Sequence, residues 1–138
     1  MKKLAALLSI IVILVSACNK STQTACGTQA CTDLFASVGV QYRDSNNNPI
    51  AVTNFKVLDL RTNKTLTNEL SASANLIGGA EIIVDDSNLK DLTNDGDNIQ
   101  VSATVQSSGK TLSTSFKIAG GCNCHVRKLA GPDVIIVN

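Results

Sequence analysis

Apolar and polar residues alternate along much of this chain with a period of two, the spacing that sends successive strand side chains to opposite faces of a sheet. Leu34, Ala36, Val38, Val40 and Tyr42 share one side of a predicted strand that starts at Thr32, with Asp33, Phe35, Ser37, Gly39 and Gln41 on the other. Asp44-Ser45-Asn46-Asn47-Asn48-Pro49 ends it, because these side chains tolerate left-handed backbone and the proline lacks a ladder donor. A second strand is predicted over Thr53–Leu60, and Thr62-Asn63-Lys64 turns it into Thr65–Thr67 as a hairpin. Glu69–Leu76 reads as a short edge strand, broken by Gly78-Gly79 before a strand over Ala80–Val84. Asp85 then stands where a helix cap is expected, ahead of a single turn with Leu89 and Leu92 on one side. Asn94-Asp95-Gly96-Asp97 is a turn. Ile99, Val101, Ala103 and Val105 alternate cleanly, Ser107-Ser108-Gly109-Lys110 reverses the chain, and Leu112–Ile118 returns as the hairpin partner. After Gly120-Gly121 come Cys122-Asn123-Cys124-His125-Val126, a polar loop, and a last strand over Val134–Val137. Seven or eight short strands in one domain predict an all-β fold, a single antiparallel β-sandwich.

The first eighteen residues do not share this pattern. Lys2 and Lys3 precede an apolar run from Leu4 to Val15 interrupted only by Ser9, and polar Asn19-Lys20-Ser21 follows too soon for a spanning helix, which needs about 20 apolar residues. The run therefore reads as a cleaved secretory signal. Its end, Val15-Ser16-Ala17-Cys18, resembles the lipobox of bacterial lipoproteins: aliphatic, small, small, cysteine. The resemblance implies that Cys18 becomes the first mature residue, carrying a thioether-linked diacylglycerol and an acylated amine. Three acyl chains, each contributing about 0.8 kcal/mol per buried methylene, would make the anchor permanent. Asn19 in second position is not the aspartate of the enterobacterial retention rule, so the implied address is the outer membrane. Acidic residues associated with surface display are missing from Lys20-Ser21-Thr22, and the side of the membrane stays open.

The chain thus divides into a signal peptide over 1–17, a lipidated flexible tether over 18–30, and a β-sandwich domain over 31–138. The tether follows from composition: Asn, Ser, Thr and Gln with almost no apolar side chain cannot offset the entropy of ordering. The remaining length, about 121 residues after cleavage, suits one core. The net charge of +1 includes Lys2 and Lys3, and the mature chain, near neutral with scattered cations, offers no basic face for nucleic acid. With three phenylalanines, one tyrosine and no tryptophan, the core has to be aliphatic, so covalent staples are expected to matter.

The first strand, the Asp44 to Pro49 turn and the second strand together resemble the Ig-like, prealbumin-like or carboxypeptidase-regulatory-like sandwich domains of Bacteroidota surface proteins. Those carry a glycine before the proline where this chain has Asn47-Asn48. The whole layout, a lipobox, an early cysteine pair and a late Gly-Gly-Cys-x-Cys-His-Val followed by Gly-Pro, resembles small lipoproteins of that phylum, a group with no activity to carry over.

If lipid consumes Cys18, then Cys26, Cys31, Cys122 and Cys124 remain, and an even number in an oxidising envelope points to disulfides. Residues 122 and 124 of a strand would lie about 7 Å apart on one face, beyond disulfide reach, so each should bond to the N-terminal pair. An antiparallel approach of the two segments favours Cys26–Cys124 with Cys31–Cys122, and the alternative is Cys26–Cys122 with Cys31–Cys124. Four thiols beside His125 could also hold zinc or Cu(I), with Cys122, Cys124 and His125 the candidate ligands, although the spacing is poor for a structural zinc site and oxidation competes. His125 taken alone reads as an exposed or hydrogen-bonded strand residue. Asp85, Asp86, Asp91, Asp95 and Asp97 could offer oxygen ligands to Ca²⁺ but lack EF-hand register, and capping or solvated roles are expected of them.

No nucleophile elbow or phosphate-cradling loop is present, so no catalytic residues and no cofactor are assigned. The expectation is an anchored envelope lipoprotein of non-catalytic, structural or interaction type. Its partners would be the bilayer, through the acyl groups on Cys18, and an envelope protein or glycan. Glycan capture is the main alternative, weakened by the scarcity of aromatic faces. A Cys/His metal-binding envelope protein is the other.

Overall fold

Val38, Val40 and Tyr42 are buried in strand β1 (Ser37–Arg43) while the residues between them are more open, so the alternation read from the sequence is the alternation of core and outside. The computed structural model describes residues 26–68 and 80–138, and the predicted edge strand over Glu69–Leu76 lies outside the described residues. Among the described residues seven further strands follow β1: β2 (Val52–Asp59), β3 (Lys64–Leu66), β4 (Ala80–Asp85), β5 (Asp97–Val105), β6 (Thr111–Ala119), β7 (Arg127–Ala130) and β8 (Val134–Ile136). They form two sheets, β4-β1-β8 and β3-β2-β5-β6-β7, the layers of an all-β sandwich. Every pairing is antiparallel except that of β8 with β1.

The core lies between the layers. Val38, Val40, Tyr42, Ile83 and Val84 from the smaller sheet meet Val57, Ile99, Val101, Phe116 and Ile118 from the larger one. Among the described residues Tyr42 is the largest fully buried side chain, and burial, reinforced by the charge of Glu81, pushes its phenol up to about 12. Asp85 caps the 3₁₀ helix Asp86–Asp91 as its sequence position suggests. Its carboxylate accepts from Ser87 N–H, and Asn88 Oδ1 accepts from Asp85 N–H in return, a capping box. In the turn after β1, Asn47 takes φ of 67°, the left-handed conformation for which a glycine would otherwise be used, and Asp44 accepts from the Asn46 and Asn48 amides.

Two stretches depart from the sequence pattern. The predicted first strand begins at Ser37 rather than Thr32, although Leu34 and Ala36 continue the alternation. Strand character needs a neighbour, and β4 ends at Asp85 opposite Ser37, where the chain turns into the 3₁₀ helix. Residues 32–36 have no ladder to join, and Leu34 is 75% and Phe35 56% exposed. The second departure is β7, in a stretch the sequence presents as a polar loop. It pairs with β6 through Lys117–Ala119 but sits at the sheet edge with mostly exposed side chains, so no apolar alternation marks it.

Candidate functional site

The cysteines converge where β6 leaves the sheet. Cys26 is bonded to Cys122 and Cys31 to Cys124, with Cα separations of 5.2 and 5.3 Å. The favoured antiparallel pairing is therefore corrected: the two segments run alongside each other in the same direction, so earlier meets earlier and later meets later. The antiparallel expectation treated both segments as strands, whereas residues 26–36 and 120–126 are irregular and their direction is set by other contacts.

Those contacts centre on Asp86. Its carboxylate accepts from Ala36 N–H at 2.8 Å, from Val126 N–H at 2.9 Å and from His125 Nδ1 at 2.7 Å, while its own N–H donates to Ala36 O. Across the ring, His125 Nε2 lies 3.0 Å from the Thr32 hydroxyl. Burial pushes the Asp86 carboxyl up, but the bonds from Ala36, His125 and Val126 outweigh it and hold the group below its ordinary value. The hydrogen-bonded chain Thr32–His125–Asp86 lies directly beside the Cys31–Cys124 bridge, since Thr32 and His125 each follow one of the bonded cysteines.

Hydroxyl, imidazole and carboxylate in this order also occur in acyl-transfer relays, where donors converge on the carbonyl oxygen under attack. Here Thr32 sits on an exposed strap, apart from the clefts lined by Phe55, Leu66 and Glu81 and by Pro49, Ile50 and Gln106. What the chain visibly does is brace that strap against the domain. Asn94 steadies the other side of the junction: its Oδ1 accepts from Cys122 N–H, and its carbonyl accepts from Asn123 Nδ2 at 3.1 Å.

His125 thus belongs to the bend before β7, not to a strand. The acidic residues do not act as a group. Asp85 is the buried helix cap and Asp86 the brace, while Asp91 and Asp95 are exposed. Asp97, 4% exposed, takes a two-pronged ion pair from Arg61 (Nε to Oδ1 2.8 Å, Nη2 to Oδ2 3.0 Å) and further bonds from Thr93 N–H and Oγ1. Among the described residues no three His, Cys, Asp or Glu side chains are grouped to hold a metal ion, and the four thiols proposed as ligands are joined as disulfides. Tyr42, the one tyrosine, is 1% exposed and offers no face to a sugar ring. Sequence reasoning missed the Asp86 brace and Thr32. The available signal was the Asp85-Asp86 doublet, in which one carboxylate caps the helix and leaves the next free to reach elsewhere.

No family model, curated protein or solved structure matches the chain.

Proposed function

We propose that the protein is an outer-membrane lipoprotein of the kind the Val15-Ser16-Ala17-Cys18 stretch resembles, anchored through acylated Cys18. Its sandwich is a structural or interaction body rather than a catalyst. The observation that carries the reading is cysteine bookkeeping: two bridges take four of the five cysteines and leave Cys18 outside them. A lone exported thiol invites stray cross-linking, and acylation removes it. The bridges take Cys26 and Cys31, through which a chain anchored at Cys18 leads into the domain. A pull on the lipid is therefore transmitted through covalent bonds to the segment joining β6 and β7.

A fractionation experiment tests this reading. The wild-type chain, made in a bacterial host that acylates lipoproteins, should partition with outer membrane and into detergent, and Cys18→Ser should abolish both. Equal partitioning of the two chains would overturn it.

A further inference from the structure

Leu34 and Phe35 are the two most exposed large apolar side chains among the described residues, at 75% and 56%. They do not hang on a loose loop. Cys31 is bonded to Cys124, Thr32 is held by His125, and Ala36 is held twice by Asp86, so the arc Asp33-Leu34-Phe35 is gripped at both ends with Leu34 and Phe35 exposed. Holding two bare hydrophobes in a fixed position facing water is costly unless something covers them.

Their location says what that is. Seven residues, 19–25, separate Cys18 from Cys26, and eight Cα steps reach at most about 29 Å even when fully extended. That is about the width of a domain of this size, whose radius of gyration is about 13 Å. The stapled end therefore lies no farther than about 29 Å from whatever surface holds the acyl chains. The register of the larger sheet places two more exposed hydrophobes at that end. Asp97 pairs with Ile118 just before the stapled loop, Leu60 N–H donates to Asn98 O beside it, and Leu129 lies next to Lys128, the partner of Ile118. Among the described residues, four of the six exposed large apolar side chains (Leu34, Phe35, Leu60 and Leu129) thus share the stapled end.

We propose that the braced arc is a membrane wedge: Leu34 and Phe35 insert into the interfacial layer of the bilayer that carries the Cys18 acyl chains, setting the domain's orientation on the surface. The inference rests on the anchored reading above. Asp33 gives the arc a negative rather than a positive charge, so the attraction to the bilayer is apolar rather than electrostatic.

The chain has no tryptophan, so one introduced residue is an unambiguous reporter. Lipidated full chain carrying Phe35→Trp is placed in phosphatidylethanolamine and phosphatidylglycerol vesicles with and without lipids brominated near the headgroup. A second chain carries Ser108→Trp in the β5–β6 turn, at the opposite end of the sheet. The expected result is blue-shifted emission and bromolipid quenching for Phe35→Trp, and neither effect for Ser108→Trp. Three outcomes overturn the wedge while the anchor stands: an unquenched Phe35→Trp on floated vesicles, equal quenching at both positions, or a blue shift without quenching, which marks cover by a second copy or another protein. If the wild-type chain fails to float with vesicles and carries no acyl group, the anchored reading falls and the wedge falls with it.

Discussion

Asp86 and His125 meet at 2.7 Å across 39 residues of chain, and through that contact one carboxylate braces both the strap that leads into β1 and the loop that leads into β7. The pH dependence follows from the sign of the Asp86 shift. Its carboxyl is held below the ordinary value, so the stabilisation is fully present above the unfolded pKa of about 3.9 and is lost as pH falls through the lower folded value. Asp86→Asn should cost about 2 kcal/mol at neutral pH and flatten the acid limb of the stability curve. Urea melts between pH 7 and about pH 2 read both effects, and an unchanged acid limb would remove Asp86 as the cause.

The two bridges should not contribute independently. Either one alone closes a loop of more than 90 residues, worth about 4.7 kcal/mol on the loop-entropy relation, and the second then closes only a ring of about nine, worth about 2.5 kcal/mol. Replacing Cys26 with Cys122, or Cys31 with Cys124, by serine should therefore cost about 2.5 kcal/mol, and replacing all four about 7 kcal/mol. The larger figure is comparable to the net stability of a small domain. Single-bridge losses in thermal melts that sum to the loss for all four cysteines would contradict the shared-loop account.

Arg61 and Asp97 hold the β2–β3 turn to the start of β5. Burial pushes the Asp97 carboxyl up, but its bonds from Arg61 and Thr93 prevail and lower it. Asp97→Asn should cost about 2 kcal/mol, because it weakens four hydrogen bonds to a buried carboxylate. Arg61→Lys should lose part of this, since an ammonium cannot form the two-pronged pair. Chemical denaturation of the two variants checks the order.

Gly131 links β7 to β8 with φ of 118°, and an added Cβ would overlap the ring of Phe116. Gly131→Ala combines backbone strain with a clash against the core and should destabilise by about 2 kcal/mol or more. A variant as stable as the wild type would show that the β7–β8 link can be rebuilt without moving Phe116.

Much of this architecture was legible in the chain. Ile99 to Val105, Leu112 to Ile118, the Thr62-Asn63-Lys64 turn and the Asp85 cap all announce themselves locally, because alternation, turn chemistry and capping depend on neighbours in sequence. What was hidden depends on neighbours in space. Leu34 and Ala36 look like strand residues, yet strand formation there needed a β4 that extended past Asp85. Arg127–Ala130 looks like loop because an edge strand buries little. Parity marked the four cysteines as bridge partners but could not assign the pairing, since that depends on which way two irregular segments run. Asp86 was visible only as one more acid in an acidic stretch. Its role arises from the Ala36, His125 and Val126 groups that the fold delivers to it.

The central claim is that one sulfur carries lipid while the other four staple the domain. Non-reducing mass spectrometry of the chain extracted from membranes tests it most directly. The account predicts a mature protein beginning at a triacylated Cys18, no free thiol, and linked peptides pairing Cys26 with Cys122 and Cys31 with Cys124. A bare thiol at Cys18, or a peptide joining Cys18 to any of the other four, would contradict it.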